Sequence, residues 1–157
     1  LVNERFKDTE QFGEAVFTDS FPTSFSDDQF DLVISTEVIE HLRDDEIESM
    51  LSEAHRLLRP NGHIFITTPN NENRDVNTVL CPDCGSKFHR WQHLRSWTAE
   101  SLSAKMEQHG FRTNHVITTA WGETPFRRLV FKFAAKINMK VETGLIYIGQ
   151  KAASSNP

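Results

Sequence analysis

Two glutamates and a histidine stand close together in the string EVIEH at 37–41, a spacing that suits proton transfer or ion binding. Glu37, Glu40 and His41 occupy positions i, i+3 and i+4, which share one face if the segment is helical. A histidine beside carboxylates can take a proton from an acceptor group, and the three side chains together can hold a divalent ion. The alternative is a helix start with solvated carboxylates and a packed histidine.

The string CPDCGSKFHRWQH contains a second set of potential ligands, with the spacing Cys-x2-Cys-x4-His-x3-His. Cys-Pro-x-Cys-Gly is typical of a zinc knuckle, because the glycine permits the tight turn around the thiolates. A structural zinc ion would also order the polar loop at 70–93, which has few apolar residues of its own. The alternative is two reduced cysteines in an ordinary turn. The predicted ligands are Cys81, Cys84, His89 and His93.

His93 belongs to both sets of candidate ligands, and one side chain cannot bind two separate ions. We rank Cys81, Cys84 and His89 above His93 as zinc ligands. If His93 faces the glutamates instead, the fourth zinc ligand is Asp83, water or a residue outside the loop.

Hydrophobic patterning indicates the elements that would position these residues. Short β-branched or aromatic runs at 14–18 and 30–35 predict strands, and the second has no polar alternation, which predicts burial on both faces of a parallel sheet. Apolar residues at helical spacing from 44 to 58 predict a helix. A strand at 63–68 then requires a right-handed parallel crossover, so the sequence predicts an open α/β sheet.

Three more elements are predicted after the loop. They are a helix that begins at its cap Thr98 and ends at Gly110, a strand at 111–118 and a last strand at 145–149. Between these strands, an apolar stripe at 126–137 with basic neighbours predicts one further helix.

Composition excludes several classes of protein. With 157 residues, 38% of them hydrophobic and 25% charged, the chain fits one globular domain. It lacks the roughly 18 consecutive apolar residues of a membrane span, and its first residues are too polar for a signal peptide, so a cytoplasmic location is expected. The net charge of −5 disfavours nucleic acid as a partner.

Three segments resemble, in order, the later motifs of class I methyltransferases: FDLVISTEVIEHL (30–42), EAHRLLRPNGHIFITTPN (53–70) and HLRSWTAESLSAKMEQHGF (93–111). With GLIYIGQK near the end, the likeness covers most of the chain. It implies a Rossmann-like methyltransferase sheet of α/β class that lacks the first strands, in a single partial domain at 1–157 with a metal-binding insert at 70–93. S-adenosylmethionine is the implied cofactor.

The resemblance also implies which residues hold that cofactor. Asp19 would accept a hydrogen bond from the adenine amino group, and Ser20 and Phe21 would flank the ring. Ser35 and Thr36 would approach the methionine part, at the carboxyl end of their strand. The alternative for Asp19 is a turn residue. The family's glycine-rich loop has no counterpart here, so we expect weak or no cofactor binding by the isolated chain.

The Glu-x-x-Glu-His string is similar to one in small-RNA 2′-O-methyltransferases and in the O-methyltransferases of ubiquinone synthesis. The former add a later histidine before a Trp-Thr pair, as HLRSWT (93–98) does here after TPNNEN (68–73). The resemblance implies that Glu37, Glu40, His41 and His93 form the catalytic site, with a second divalent ion as an option. The expected function is O-methylation of a small-molecule acceptor, and a homodimer is allowed. The alternative is a truncated, noncatalytic binding module that zinc stabilises.

Overall fold

A computed structural model describes residues 2–119 and 143–152 of the chain. After a short helix α1 (Val2–Phe6), the elements are β1 (Phe30–Thr36), α2 (Asp44–Leu57), β2 (Leu58–Pro69), β3 (Thr78–Leu80), β4 (Lys87–His89), α3 (Ala99–Gln108), β5 (Phe111–Thr119) and β6 (Gly144–Lys151). A single 3-10 turn, Arg74–Asn77, precedes β3. The predicted stripe at 126–137 lies outside the described residues.

Four strands form the main sheet in the order β1-β2-β6-β5. β1 and β2 are parallel, whereas β6 is antiparallel to both of its neighbours. The parallel pair confirms the predicted α/β crossover through α2. β2 begins at Leu58, directly after α2, and therefore earlier than the predicted 63–68.

One face of the sheet carries the core. Helices α2 and α3 bury their apolar residues there because these residues recur at helical spacing. Within the described residues no helix is long and apolar enough to cross a membrane. The core is formed by Ile39, Ile47, Leu51, Ala54, Leu58, Ile64, Ile66, Trp97, Leu102, Met106, Phe111, Leu145 and Tyr147.

Two strand predictions are wrong. Residues 14–18 form no strand, since no described strand pairs with them and the Asn3 side chain instead bonds both backbone groups of Ala15. β1 is not buried on both faces, because it lies at the edge of the sheet with Leu32 and Ile34 49% and 60% exposed.

The loop at 70–93 contains a small hairpin. Its strands β3 and β4 pair antiparallel with Thr78 opposite His89 and Leu80 opposite Lys87. Both ends of the loop are attached to the body of the protein: Asn71 N–H donates to the Trp97 carbonyl (2.7 Å), and Leu94 N–H donates to the Glu40 carbonyl (2.9 Å). These bonds bring His93 to the end of the main sheet.

Candidate functional site

The residues after β1 form a turn at the carboxyl end of the sheet. Glu37 has a φ of +53°, a left-handed conformation that ends the strand, while its N–H still donates to the Thr67 carbonyl of β2 (2.9 Å). His41 N–H closes the turn on the Val38 carbonyl (3.0 Å), and α2 begins only at Asp44. The predicted helix through Glu37, Glu40 and His41 is therefore wrong, because the left-handed residue prevents it.

Glu40, His41 and His93 nevertheless converge. Glu40 is 1% exposed, and its Oε2 accepts a hydrogen bond from the Thr68 hydroxyl (3.0 Å). Its Oε1 is buried without a hydrogen-bond partner, 3.7 Å from His41 Nε2. The His93 ring stands edge-on to the His41 ring with centroids 4.8 Å apart. One ligand atom from each of the three lies within 4.8 Å of the others, so the cluster can share a proton or an ion.

Glu37 lies beside this cluster and is not part of it. The structure thus brings together three of the four residues that the sequence predicted. The pKa of Glu37 is raised, first because burial desolvates the carboxyl and also because Glu40 is near, while a hydrogen bond with Thr67 opposes the shift.

A second cluster shares His93 with the first and includes a residue that sequence reasoning missed. Glu72 has one carboxylate oxygen 2.5 Å from His93 Nδ1 and the other 3.5 Å from His89 Nε2. The three side chains are 13%, 9% and 7% exposed. Glu72 belongs to TPNNEN, the segment that resembled the family, but nothing in its local spacing connects it to histidines far along the chain.

The structure does not group Cys81 and Cys84 with His89 and His93, the four residues predicted to bind zinc. Cys81 and Cys84 lie at the tip of the β3-β4 hairpin, whereas His89 is at its base and faces Glu72. His89 pairs with Thr78, three residues before Cys81, so at about 3.3 Å per residue these positions are about 10 Å apart along the hairpin. Among the described residues, the groups of three or more potential ligands include neither cysteine.

The hairpin tip itself has the knuckle conformation. Gly85 has a φ of +69°, and its N–H donates to the Cys81 carbonyl (2.9 Å). Cys81 N–H donates to the Ser86 carbonyl (2.8 Å). The pKa of the exposed Cys84 thiol is lowered, chiefly by the Ser86 hydroxyl and backbone and then by Cys81. The two sulfurs can therefore supply half of a zinc site.

A cleft of about 540 Å³ lies between the segment at 18–21 and the start of α2. Asp19, Ser20 and Phe21, which the sequence predicted to hold a cofactor, line it together with Val38 and Met50. Ser35 and Thr36 do not line this cleft. The Ser35 hydroxyl instead lies 4.0 Å from the Met50 sulfur, on the core side of β1.

An ion-pair network attaches the wall of this cleft to α2. Glu53 accepts hydrogen bonds from the Thr23 N–H (2.8 Å) and hydroxyl (2.6 Å) and from two nitrogens of Arg56 (2.7 and 2.8 Å). Arg56 also donates to the Phe25 carbonyl (2.9 Å). This network lowers the pKa of Glu53 to about 2, with the Arg56 hydrogen bonds as the largest cause.

A family model described as a methyltransferase domain matches residues 2–116. The chain belongs to this methyltransferase family. Its α/β sheet is that of the class I members, which use S-adenosylmethionine. Among curated protein sequences, no match to this methyltransferase was found.

Solved structures share the fold. A SAM-dependent methyltransferase from Methanosarcina mazei is 14% identical with a TM-score of 0.59, over 85% of this chain and 64% of that one. The 1,6-didemethyltoxoflavin-N1-methyltransferase of Burkholderia thailandensis, solved with its substrate and S-adenosylhomocysteine, is 16% identical with a TM-score of 0.54, over 82% and 46%. A putative methyltransferase of Haloferax volcanii in complex with the Trm112 activator is 17% identical with a TM-score of 0.58, over 83% and 58%.

The methyltransferase chain thus spans about half to two thirds of the length of these structures. Its cleft has a volume in the usual range for small-molecule sites, and its lining combines an exposed carboxylate, Asp19, with the apolar side chains of Phe21 and Met50. An adenine ring needs a hydrogen-bond acceptor at its edge and apolar contacts on its faces, and these three side chains can supply both, although Arg43, Asp45 and Glu46 also line the cleft.

Proposed function

We propose that this methyltransferase transfers a methyl group from S-adenosylmethionine to an oxygen atom of a small-molecule acceptor, which binds at the Glu40–His41–His93 cluster. The observation that carries the proposal is Glu40 Oε1, a buried carboxylate oxygen without a hydrogen-bond partner, which lies beside two imidazoles. Buried carboxylate oxygens almost always have a hydrogen-bond partner. A carboxylate oxygen that has none and lies next to two imidazoles therefore favours a ligand-binding site.

The cluster would act on the acceptor hydroxyl. When bound, S-adenosylmethionine supplies the methyl group and leaves as a neutral thioether. A ring nitrogen of His41 or His93 takes the hydroxyl proton as the new oxygen–carbon bond forms, and the carboxylate of Glu40 stabilises the resulting imidazolium. Asp19, Ser20 and Phe21 would bind the adenosine part of the cofactor, and the turn at 37–41 would bring the acceptor to the methyl group.

A divalent ion at the same cluster also fits its donor set. His41 Nε2 and Glu40 Oε1 are 3.7 Å apart, too far for a hydrogen bond. Two ligands of a tetrahedral ion with bonds of about 2.0–2.1 Å are about 3.3 Å apart, so a small adjustment would allow both to bind one ion. Such an ion would lower the pKa of the acceptor hydroxyl and orient it.

Turnover of the full-length gene product tests this function. S-adenosylhomocysteine release would be measured with phenol, sugar and amine acceptors, before and after treatment with EDTA. We expect His41→Ala to lower kcat by about 100-fold or more, since general bases contribute about 10²–10⁴-fold, while S-adenosylmethionine binding by calorimetry stays unchanged.

His115→Ala is the matched control because His115 is exposed on β5, far along the chain from the cluster, and it should keep full activity. Wild-type turnover by His41→Ala would contradict the role of the cluster. Methylation of amines alone would contradict the oxygen acceptor, and no methylation of any acceptor would favour a noncatalytic binding module.

We also propose that Cys81 and Cys84 bind a structural zinc ion, with two further ligands from outside the knuckle. The turn conformation at the hairpin tip and the lowered pKa of Cys84 support this. Metal analysis of the purified protein should find zinc, and Cys84→Ser should lose it. His89→Asn serves as the control and should keep it, because His89 faces Glu72; zinc loss in that variant would instead restore His89 as a ligand.

A further inference from the structure

The Glu72 carboxylate is in direct contact with the His93 ring. Its Oε2 is 2.5 Å from His93 Nδ1, and its Oε1 accepts a hydrogen bond from the Asn77 side-chain amide (3.1 Å). Both Glu72 and His93 are largely buried, with side chains 13% and 9% exposed. The carboxylate is therefore held in place by Asn77 and aimed at one nitrogen of the His93 ring.

Glu72 Oε2 and His93 Nδ1 are in direct hydrogen-bond contact. Two ligands of one tetrahedral ion lie about 3.3 Å apart, farther than these two atoms, so we interpret the contact as a hydrogen bond to the His93 ring. Glu72 therefore contacts His93 through Nδ1, and the same His93 ring also belongs to the Glu40–His41–His93 cluster.

His89 supports the same interpretation. The backbone N–H of His93 donates to His89 Nδ1 (3.1 Å), so in the neutral ring the proton of His89 is on Nε2. In this tautomer Nε2 has no lone pair to offer an ion; it is buried 3.5 Å from Glu72 Oε1 and has no hydrogen-bond partner among the described residues. The His89 ring also stacks on His93, with centroids 4.6 Å apart and an angle of 28° between the planes, which restricts rotation of the His93 ring.

We infer that Glu72 is a positioning residue, which holds the proton of His93 on Nδ1 and so leaves the Nε2 lone pair for the acceptor or ion at the Glu40–His41–His93 cluster. A carboxylate only accepts hydrogen bonds, so Nδ1 must be the donor. Carboxylates that accept a hydrogen bond from a histidine in this way fix its tautomer and its orientation as a ligand. The use of the His93 Nε2 lone pair for an acceptor or ion rests on the proposed function, but the tautomer of His93 can be measured without turnover.

Nitrogen-15 NMR of the full-length protein with labelled histidines tests the inference. The His93 signals are assigned by their loss in His93→Gln. In the wild type the neutral His93 ring should carry its proton on Nδ1, the tautomer that free histidine disfavours. Glu72→Gln should relax this preference, because an amide offers one acceptor oxygen where the carboxylate offers two. Asn77→Ala, which keeps the carboxylate but frees it to rotate, should shift the signals in the same direction by less.

Mn²⁺ alone serves as the second probe, since this ion prefers carboxylate oxygens, which the cluster offers, to the thiolates of the hairpin. Its affinity by calorimetry should fall by about 10–100-fold in Glu72→Gln, as is usual when a residue that orients a ligand is lost. Glu10→Gln is the matched control because Glu10 is exposed near the start of the chain, and it should change neither readout.

A wild-type His93 with its proton on Nε2, or a Glu72→Gln variant with unchanged tautomer and Mn²⁺ affinity, would overturn the inference. Loss of the Nε2 proton of His89 on addition of Mn²⁺ would also overturn it, because Glu72 and His89 would then be ligands. If the tautomer responds as expected but no acceptor is methylated, the role of Glu72 stands and the proposed function fails.

Discussion

At the scale of single residues, the ionised carboxyl of Glu53 attaches the cleft wall to α2. The side chain is 5% exposed, and four hydrogen bonds from Thr23 and Arg56 satisfy its two oxygens. Sequence patterning placed Glu53 on a helix but did not single it out. Its partner Thr23 is 30 positions away, so only the folded chain shows that this buried charge is paired.

We expect this network to make stability depend on pH. Because the pKa of Glu53 falls from 4.5 to about 2 on folding, its contribution is present above pH 4.5 and is lost as the pH falls towards 2. At about 1.4 kcal/mol per pKa unit, it is worth at most about 3 kcal/mol. Urea unfolding at pH 7 and pH 3 should show a smaller pH dependence in Glu53→Gln than in the wild type.

The matched control is Asp27→Asn, since Asp27 contacts the same Arg56 but has a side chain that is 75% exposed. Exposed pairs contribute about 0–1 kcal/mol, so this variant should retain almost all of the wild-type pH dependence. Equal pH dependence in Glu53→Gln and the wild type would contradict the assignment.

At the scale of elements, β6 holds the sheet together because it lies between β2 and β5. Tyr147 on this strand is fully buried, and burial raises the pKa of its phenol, whose oxygen lies 3.3 Å from the Thr113 hydroxyl of β5. The ring extends along the strand over Gly149. A Cβ at that glycine would lie 2.6 Å from the ring and its hydroxyl, so the pair fits only because position 149 has no side chain.

Gly149→Ala should therefore destabilise the protein by about 1–3 kcal/mol, the usual cost of an overpacked core. The free energy of unfolding in urea measures this. Gly13→Ala is the control, because a Cβ at position 13 meets no atom within 4 Å, and it should change stability by no more than about 0.5 kcal/mol. An equally stable Gly149→Ala would show that Tyr147 can move aside at little cost.

At the scale of the molecule, the two faces of the main sheet differ. α2 and α3 cover the face that carries Ile64, Ile66 and Tyr147. The opposite face exposes apolar side chains on both outer strands, and the outer edge of β1 pairs with no described strand. An apolar edge of this kind favours association with other chains. These exposed residues are Leu32, Ile34 and Ile117.

We therefore expect the 157-residue chain to self-associate through β1. Its mass by light scattering should rise with concentration, and Ile34→Lys should lower that mass because a charge at this edge opposes strand pairing. Val76→Lys is the control, since Val76 is 77% exposed on the loop at 70–93 and should leave association unchanged. A monomer at every concentration would contradict the expectation and with it a homodimer through this edge.

Local spacing along the chain was enough to predict α2, α3 and the parallel pair β1-β2, because the spacing of apolar residues within an element shows which face it buries. It was also enough to identify Glu40 and His41, which are adjacent in the chain, and the knuckle turn at Cys81 and Cys84. The helices and the knuckle turn depend mainly on neighbours in sequence, whereas the predicted helix through Glu40 and His41 was replaced by a turn.

Contacts between segments that are distant in the chain determined which of the other predicted residues come together. Spacing alone assigned His93 to two different sites, and the contacts of the folded chain place it between Glu40 and Glu72, away from the cysteines. The same contacts identified Glu72 and left the 14–18 segment without a strand partner. Hydrogen bonds and ion pairs join residues that are tens of positions apart, and periodicity within one element carries no information about which of them will meet.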